Sequence, residues 1–344
     1  MKPPFIDNRF VRRFRLFTPV ALAPMALATG GELAAACARA GALALVGGGY
    51  GDLEWTQREY SGAVNLLGDD AAALARLGCG FISWKLEEDR SALDWLLDQP
   101  HRPAAVMLSF GDPSRFGRIL SDHGIPIICQ IQTIAQLPAA VEAGASVIVA
   151  QGREAGGHGM NAFEGRSTFT LVPEMADWLA RHAPETILLA AGGIADGRGL
   201  AASMMLGADG ALIGSRLWAT RESMAAASAK HASLAASGDD TARTGIFDIL
   251  RRKNWPEQFD FRAIRNRLHE KWEQRIDELR TSPEAAIEDY LEGVRTEDYD
   301  RAHITVGEAI GLINEILPAE QVVETVTREA ARLLAGEALG KQPE

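Results

Sequence analysis

The stretch Ala145-Ser-Val-Ile-Val-Ala-Gln-Gly-Arg-Glu-Ala-Gly-Gly-His158-Gly159 decides how this chain reads. Its first half, Ala145 to Ala150, is a short apolar run of the kind that forms a strand buried on both faces. The second half is a glycine-rich loop carrying one histidine. Glycines remove side chains, so a flat ligand can lie close to backbone. The histidine therefore sits where a strand's C-terminal end opens into a loop. Two further units of the same kind follow. Leu188-Leu-Ala-Ala-Gly192-Gly193-Ile-Ala-Asp-Gly197 is one, and Gly207-Ala-Asp-Gly-Ala-Leu-Ile-Gly214-Ser215 is the other.

Outward from these units the same rhythm covers the first two thirds of the chain. Expected strands are 20–23, 42–46, 80–84, 104–108, 125–130, 146–150, 186–190 and 210–213. Between them lie amphipathic segments at 31–40, 69–77, 91–98, 113–123, 134–143, 172–182 and 197–206. Continuously apolar strands alternating with helices indicate a parallel sheet. About eight in succession favour a closed α/β structure, a (β/α)8 TIM barrel, over an open sheet. In such a barrel the C-terminal rim carries the chemistry, and its last two loops hold a phosphate. Gly192, Gly193, Gly214 and Ser215 are placed for that task.

Length and charge agree. The chain has 344 residues, 47% of them hydrophobic, against roughly 250 for a typical barrel. The expected division is a barrel over 1–238 and a helical C-terminal extension over 239–344, packed on the barrel or at a subunit contact. A net charge of −11 and a pI near 5.2 argue against nucleic acid or an anionic membrane surface as partner. Cys37, Cys79 and Cys129 have no metal-binding spacing, and their odd number suits a reducing compartment. Met1 to Phe10 has no apolar core of a signal peptide, and Val20 to Gly49 is broken by Pro24, Gly30, Glu32 and Arg39. A cytoplasmic protein is expected.

Gly47-Gly-Gly-Tyr-Gly51 follows a strand but lacks both the G-x-G-x-x-G register and a clear helix behind it, so a Rossmann site is disfavoured. No serine elbow or metal cluster is legible. Of the seven histidines, six lie in helical or connecting segments and read as surface or capping residues. His158 differs: it stands on the rim loop, and imidazole titrates near neutral pH.

Together, Ala23-Pro24-Met25, the motif from Gln151 to His158, Ala191-Gly192-Gly193-Ile194 and Ile213-Gly214-Ser215 resemble the nitronate monooxygenase (2-nitropropane dioxygenase) family of FMN-dependent barrels. The likeness runs from about Thr18 to Ala219. It implies an oxidoreductase, a flavoprotein monooxygenase that oxidises alkyl nitronates, and neutral nitroalkanes, with molecular oxygen. It implies His158 as general base. It also implies an FMN site made by Ala23, Pro24, Met25, Ser83, Gln130, Gln151, Gly156, Gly192, Gly193, Ile213, Gly214 and Ser215. Gln130 stands where flavin barrels often carry lysine, and Ser83 where relatives often have asparagine. Met25, Tyr50 and Trp84 are candidates to shape a substrate pocket. Two other readings stay open: an NAD(P)H-dependent FMN reductase acting on a quinone or enoyl thioester, and a non-catalytic barrel binding a phosphorylated ligand.

Overall fold

The computed structural model describes residues 6–337. The first five residues of the N-terminal stretch inspected for a leader lie outside them. Eight parallel strands close into a barrel in the order of the chain: β1 (Val20–Leu22), β2 (Leu43–Gly47), β3 (Leu77–Ile82), β4 (Val106–Ser109), β5 (Ile127–Ile131), β6 (Ala145–Gln151), β8 (Ile187–Ala191) and β9 (Gly210–Ile213). All eight expected strands are present, most within a residue or two of the expected bounds.

Strand periodicity divides the core into two layers. Ala21, Leu43, Leu45, Met107, Ile128, Val147, Val149, Leu189 and Leu212 fill the barrel interior. Their neighbours Leu22, Ala44, Val46, Cys79, Ile148, Ala190 and Ile213 pack outward against the helices. The helix Arg9–Phe14 joins the interior layer through Phe10 and Phe14, with Asn8 capping its first turn. This rule of two decides which side chains at the strand ends point into the mouth.

The chain behind Gly47–Gly51 is a helix, Leu53–Leu67, capped by Asp52. The sequence reading found no clear helix there. Its apolar face is thin, with only Thr56, Tyr60, Ala63 and Leu67 buried, so the period was weak.

A second, smaller sheet lies over the barrel. Its strands are β7 (Gly157–Met160), β10 (Thr241–Thr244) and β11 (Phe259–Ile264), antiparallel in the order β10-β11-β7. The rim segment of His158 is therefore a strand rather than a free loop. The region past residue 238 is mainly helical and also supplies β10 and β11. It builds its own core from Phe247, Leu250, Phe261, Leu268, Trp272, Leu279, Ile287 and Tyr290. The final helix, Ala319–Leu334, returns to the barrel and packs between Gly197–Met205 and Gly31–Arg39. Among the described residues, no helix is long and apolar enough to cross a membrane.

Candidate active site

A cavity of about 450 Å³ opens at the C-terminal mouth of the barrel, beneath the second sheet. The inward residues two positions beyond the interior layer line it. Met107 leads to Ser109, Ile128 to Gln130, Val149 to Gln151, and Ala21 to Ala23. Pro24, Met25, Gly156, His158, Gly192, Gly193, Gly214 and Ser215 complete the expected set within the lining.

Two expected residues fall outside it. Ile213 has the wrong parity: its side chain is buried among the outer layer, while its carbonyl accepts a hydrogen bond from the Ala23 N–H at 3.0 Å. Ser83 follows Ile82, which lines the cavity, and itself opens the helix Ser83–Glu88. Its hydroxyl is buried without a partner. Trp84 also lies off the cavity, edge-on to Trp255 at 5.5 Å.

One wall is flat and apolar. Pro24 lies so close over Gly80 that a Cβ there would come within 2.3 Å of its ring. Ala23, Pro24 and Met25 thus form a floor at the barrel mouth. Above that floor the Gln130 amide makes no hydrogen bond to protein among the described residues. Gln151 is held on both sides. Its Oε1 accepts from Gln132 Nε2 at 2.9 Å, and its Nε2 donates to the His158 carbonyl at 3.0 Å.

At the other end, Gly192 and Gly193 have φ of 100° and 77°, in the left-handed region that favours glycine. A Cβ on Gly192 would meet Ala155 N and Gly152 O at 3.0 Å. Among the described residues, the N–H groups of Gly193, Gly214 and Ser215 find no protein acceptor. Donors converging without Cβ obstruction suit a phosphate. The Ser215 hydroxyl accepts from Gly307 N at 2.8 Å, tying this end to the extension. Gly156 has a packing reason of its own: a Cβ would come within 2.5 Å of the Val306 backbone. A flat apolar floor, the free amide of Gln130 at mid-cavity and an unpaired backbone cradle fit a flavin bearing a phosphate.

His158 is buried, with only 9% of its surface exposed. On the second sheet it pairs with Phe261, their rings 4.8 Å apart. Trp255 stacks on the imidazole. Its Nε2 lies 2.9 Å from Asp248 Oδ1, on the extension helix Ile246–Leu250. Burial, then the charges of Arg251 and Arg243, hold the imidazole well below its ordinary pKa. Burial pushes Asp248 up to about 7, against the opposing pull of Arg251. Desolvation dominates for both partners, so the contact is a hydrogen bond with at most one net charge.

Sequence reading missed this half of the cavity. Asp248, Arg251, Trp255 and Phe261 lie about a hundred residues from His158 in a region without motif character. Arg251 donates from Nη2 to the Tyr50 hydroxyl at 3.2 Å, while its Nη1 is buried without a partner. Trp255 donates to the same hydroxyl at 3.1 Å, so Tyr50 anchors both residues. Two histidines read as surface residues lie inward, His269 buried and His303 half-buried. His269 packs on Phe247 in the extension. His303 lines the cavity, bonded through Nδ1 to the Tyr290 hydroxyl at 2.8 Å, and burial holds its pKa at about 3.

A family model described as nitronate monooxygenase matches residues 83–329. The chain is 33% identical over 339 residues to the nitronate monooxygenase npaC of Metarhizium robertsii, covering 91% of this chain and 90% of that protein. It is 30% identical to a nitronate monooxygenase of Neurospora crassa, covering 90% and 88%. Among solved structures it is similar to FabK from Thermotoga maritima, with a TM-score of 0.78, 25% identity, and coverage of 96% and 98%. A nitroalkane oxidase from Streptomyces ansochromogenes shares the fold, with a TM-score of 0.72 at 24% identity over 93% and 98% of the two chains. A barrel mouth built for a flavin and relatives matched along nearly their whole length lead to one conclusion: this chain belongs to the nitronate monooxygenase family of flavin oxidoreductases.

Proposed function

We propose that this enzyme binds FMN and uses it to oxidise alkyl nitronates, and neutral nitroalkanes, with molecular oxygen. The observation carrying this reading is the placement of His158. Its imidazole lines the cavity above the apolar floor, is kept neutral by burial, and is bonded to a carboxylate on the side away from any proton it would accept.

In this reading Gly192, Gly193, Gly214 and Ser215 hold the phosphate through backbone N–H groups, and Gln130 and Gln151 meet the polar edge of the ring. Ala23, Pro24 and Met25 support its face. Bound flavin supplies the redox capacity that no side chain here possesses. The protein contributes position, exclusion of water and proton transfer. His158 takes the α-proton of a neutral nitroalkane, or orients a nitronate that has already lost it. Arg251, the cation in the lining, meets the charge that develops on the nitro group.

An anaerobic reduction screen on the purified protein tests the proposal. Bleaching of the flavin by an alkyl nitronate is expected. Rapid bleaching by NADH or NADPH instead, with no response to nitronate, would favour the FMN-reductase reading. Protein that cannot be loaded with flavin would favour a phospho-ligand-binding barrel.

A further inference from the structure

Asp248 is joined to His158 across ninety residues of chain, on a different element and in a different layer. We propose that Asp248 is the positioning residue that selects which nitrogen of His158 acts as base. Its carboxylate takes the hydrogen bond from Nε2–H and leaves the lone pair of Nδ1 to the substrate. The inference rests on the reading of His158 as the base.

The geometry carries it. An imidazole with one nitrogen donating to a carboxylate must present an acceptor at the other. Nδ1 makes no hydrogen bond among the described residues, while the ring lines the cavity. Trp255 stacked on the ring and Phe261 tilted against it at 4.8 Å restrict its rotation. The strand pairing of His158 with Phe261 fixes the backbone, and Gln151 holds the His158 carbonyl from below. The orientation is therefore built from four directions, and Asp248 adds the one contact that distinguishes the two tautomers.

The proton step balances simply. The α-carbon–hydrogen bond breaks, its electron pair moves into the nitro group to form a nitronate, and a bond forms between Nδ1 and the proton. The imidazolium so created lies beside the Asp248 carboxylate, which stabilises it. The groups facing the pair set when that carboxylate is available. Arg251 follows Asp248 on its own segment, Arg243 comes from β10, Asp260 from β11, Tyr50 from the loop after β2, and His303 from the stretch before the final helix. Burial raises Asp248 to about 7, so below that pH the acid O–H donates to Nε2 and the imidazole proton moves to Nδ1. The base is then lost without His158 ever becoming charged.

Flavin-loaded protein carrying nitrogen-15-labelled histidine provides the test, with His158→Asn used to assign the signals. At about pH 8 the parent enzyme should show His158 protonated at Nε2 and bare at Nδ1. In Asp248→Asn, which preserves shape, that single tautomer should be lost. Anaerobic flavin reduction by a neutral nitroalkane should fall about 100-fold or more, and the rise of its rate with pH should disappear. Reduction by a preformed nitronate should change by no more than a few fold, and Asp248→Glu should restore part of the lost rate. Flavin content and circular dichroism guard against misfolding. A parent spectrum with the proton on Nδ1 would overturn the proposal, as would unchanged His158 signals in Asp248→Asn. Should His158→Asn spare the neutral substrate, the base reading fails separately, because the nitrogen spectrum does not depend on turnover.

Discussion

Trp255 lies flat against His158, ring centroids 3.4 Å apart and planes inclined by 12°. The two residues come from segments about a hundred residues apart in the chain, and the Tyr50 hydroxyl, accepting from Trp255, fastens the stack to the barrel. Replacing Trp255 by leucine should cost roughly 1–2 kcal/mol, since aromatic pairs contribute about 0.5–1.5 kcal/mol beyond burial and Trp255 makes several. Urea unfolding would measure this. The same variant should slow flavin reduction by a neutral nitroalkane more than by a nitronate, because the imidazole gains freedom. Equal losses on both substrates would assign the stack to stability alone.

FMN should be bound non-covalently. Heat or acid should release it, and chromatography should identify the monophosphate. Release of FAD would move the phosphate end away from Gly192–Gly193 and Gly214–Ser215.

The two glycine sites should answer differently to substitution. Gly192 has φ of 100°, and an added Cβ would press on the backbone at Ala155 and Gly152. Strain at such a position costs about 1–3 kcal/mol, so Gly192→Val should lower stability and weaken FMN binding about 10-fold or more. Gly214 has φ of −102°, and its Cβ would meet only Met25 Sδ at 3.7 Å and Ala23 Cβ at 3.8 Å. Gly214→Ala should therefore fold normally, and any loss of FMN affinity would report directly on the phosphate. Fluorescence titration with FMN distinguishes the cases.

His158→Asn should separate the two substrates. A neutral nitroalkane must lose a carbon-bound proton, and a positioned base is worth about 10²–10⁴ in rate. A nitronate has already lost it. In the parent enzyme the rate on neutral substrate should rise with pH through about 7, where Asp248 becomes anionic, not through the ordinary histidine value. The sign follows from the dyad: protonation of Asp248 at lower pH removes the acceptor that keeps Nδ1 bare. Anaerobic stopped flow, after a check of FMN content, measures both effects. A profile that falls with rising pH would refute the assignment.

Arg251→Met should raise the KM for an anionic nitronate while leaving kcat on a neutral nitroalkane less affected. A hydrogen bond to a charged group is worth about 1.5–3 kcal/mol, so the expected rise is about 10- to 100-fold. Methionine keeps an unbranched stem of similar length but removes the guanidinium that lies 5.0 Å over the Phe261 ring, so flavin content and stability are checked alongside. Unchanged KM values would place the substrate anion elsewhere in the cavity.

What the sequence determined by itself was local. Eight apolar runs of four to six residues, alternating with helices, specified a parallel barrel, because only a sheet buried on both faces accepts such strands. Strand ends marked the rim, and glycines there marked the cradle. Even the amides of Gln130 and Gln151 were legible, since each follows an apolar run and stands two positions beyond an interior side chain. Counting by two would also have excluded Ile213, whose neighbour Leu212 faces inward.

The tertiary structure alone decided the other half of the cavity. Asp248, Arg251, Trp255 and His303 carry no motif, and nothing in their spacing refers to position 158. They meet it because β11 pairs with β7, a backbone contact between segments about a hundred residues apart. Such pairing is set by which edge remains open once the barrel has closed and which apolar faces remain uncovered. The same pairing converts His158 from a loop residue into a strand residue packed against Trp255 and Phe261. Its pKa, its tautomer and its partner are properties of that burial, and burial is a property of the whole fold.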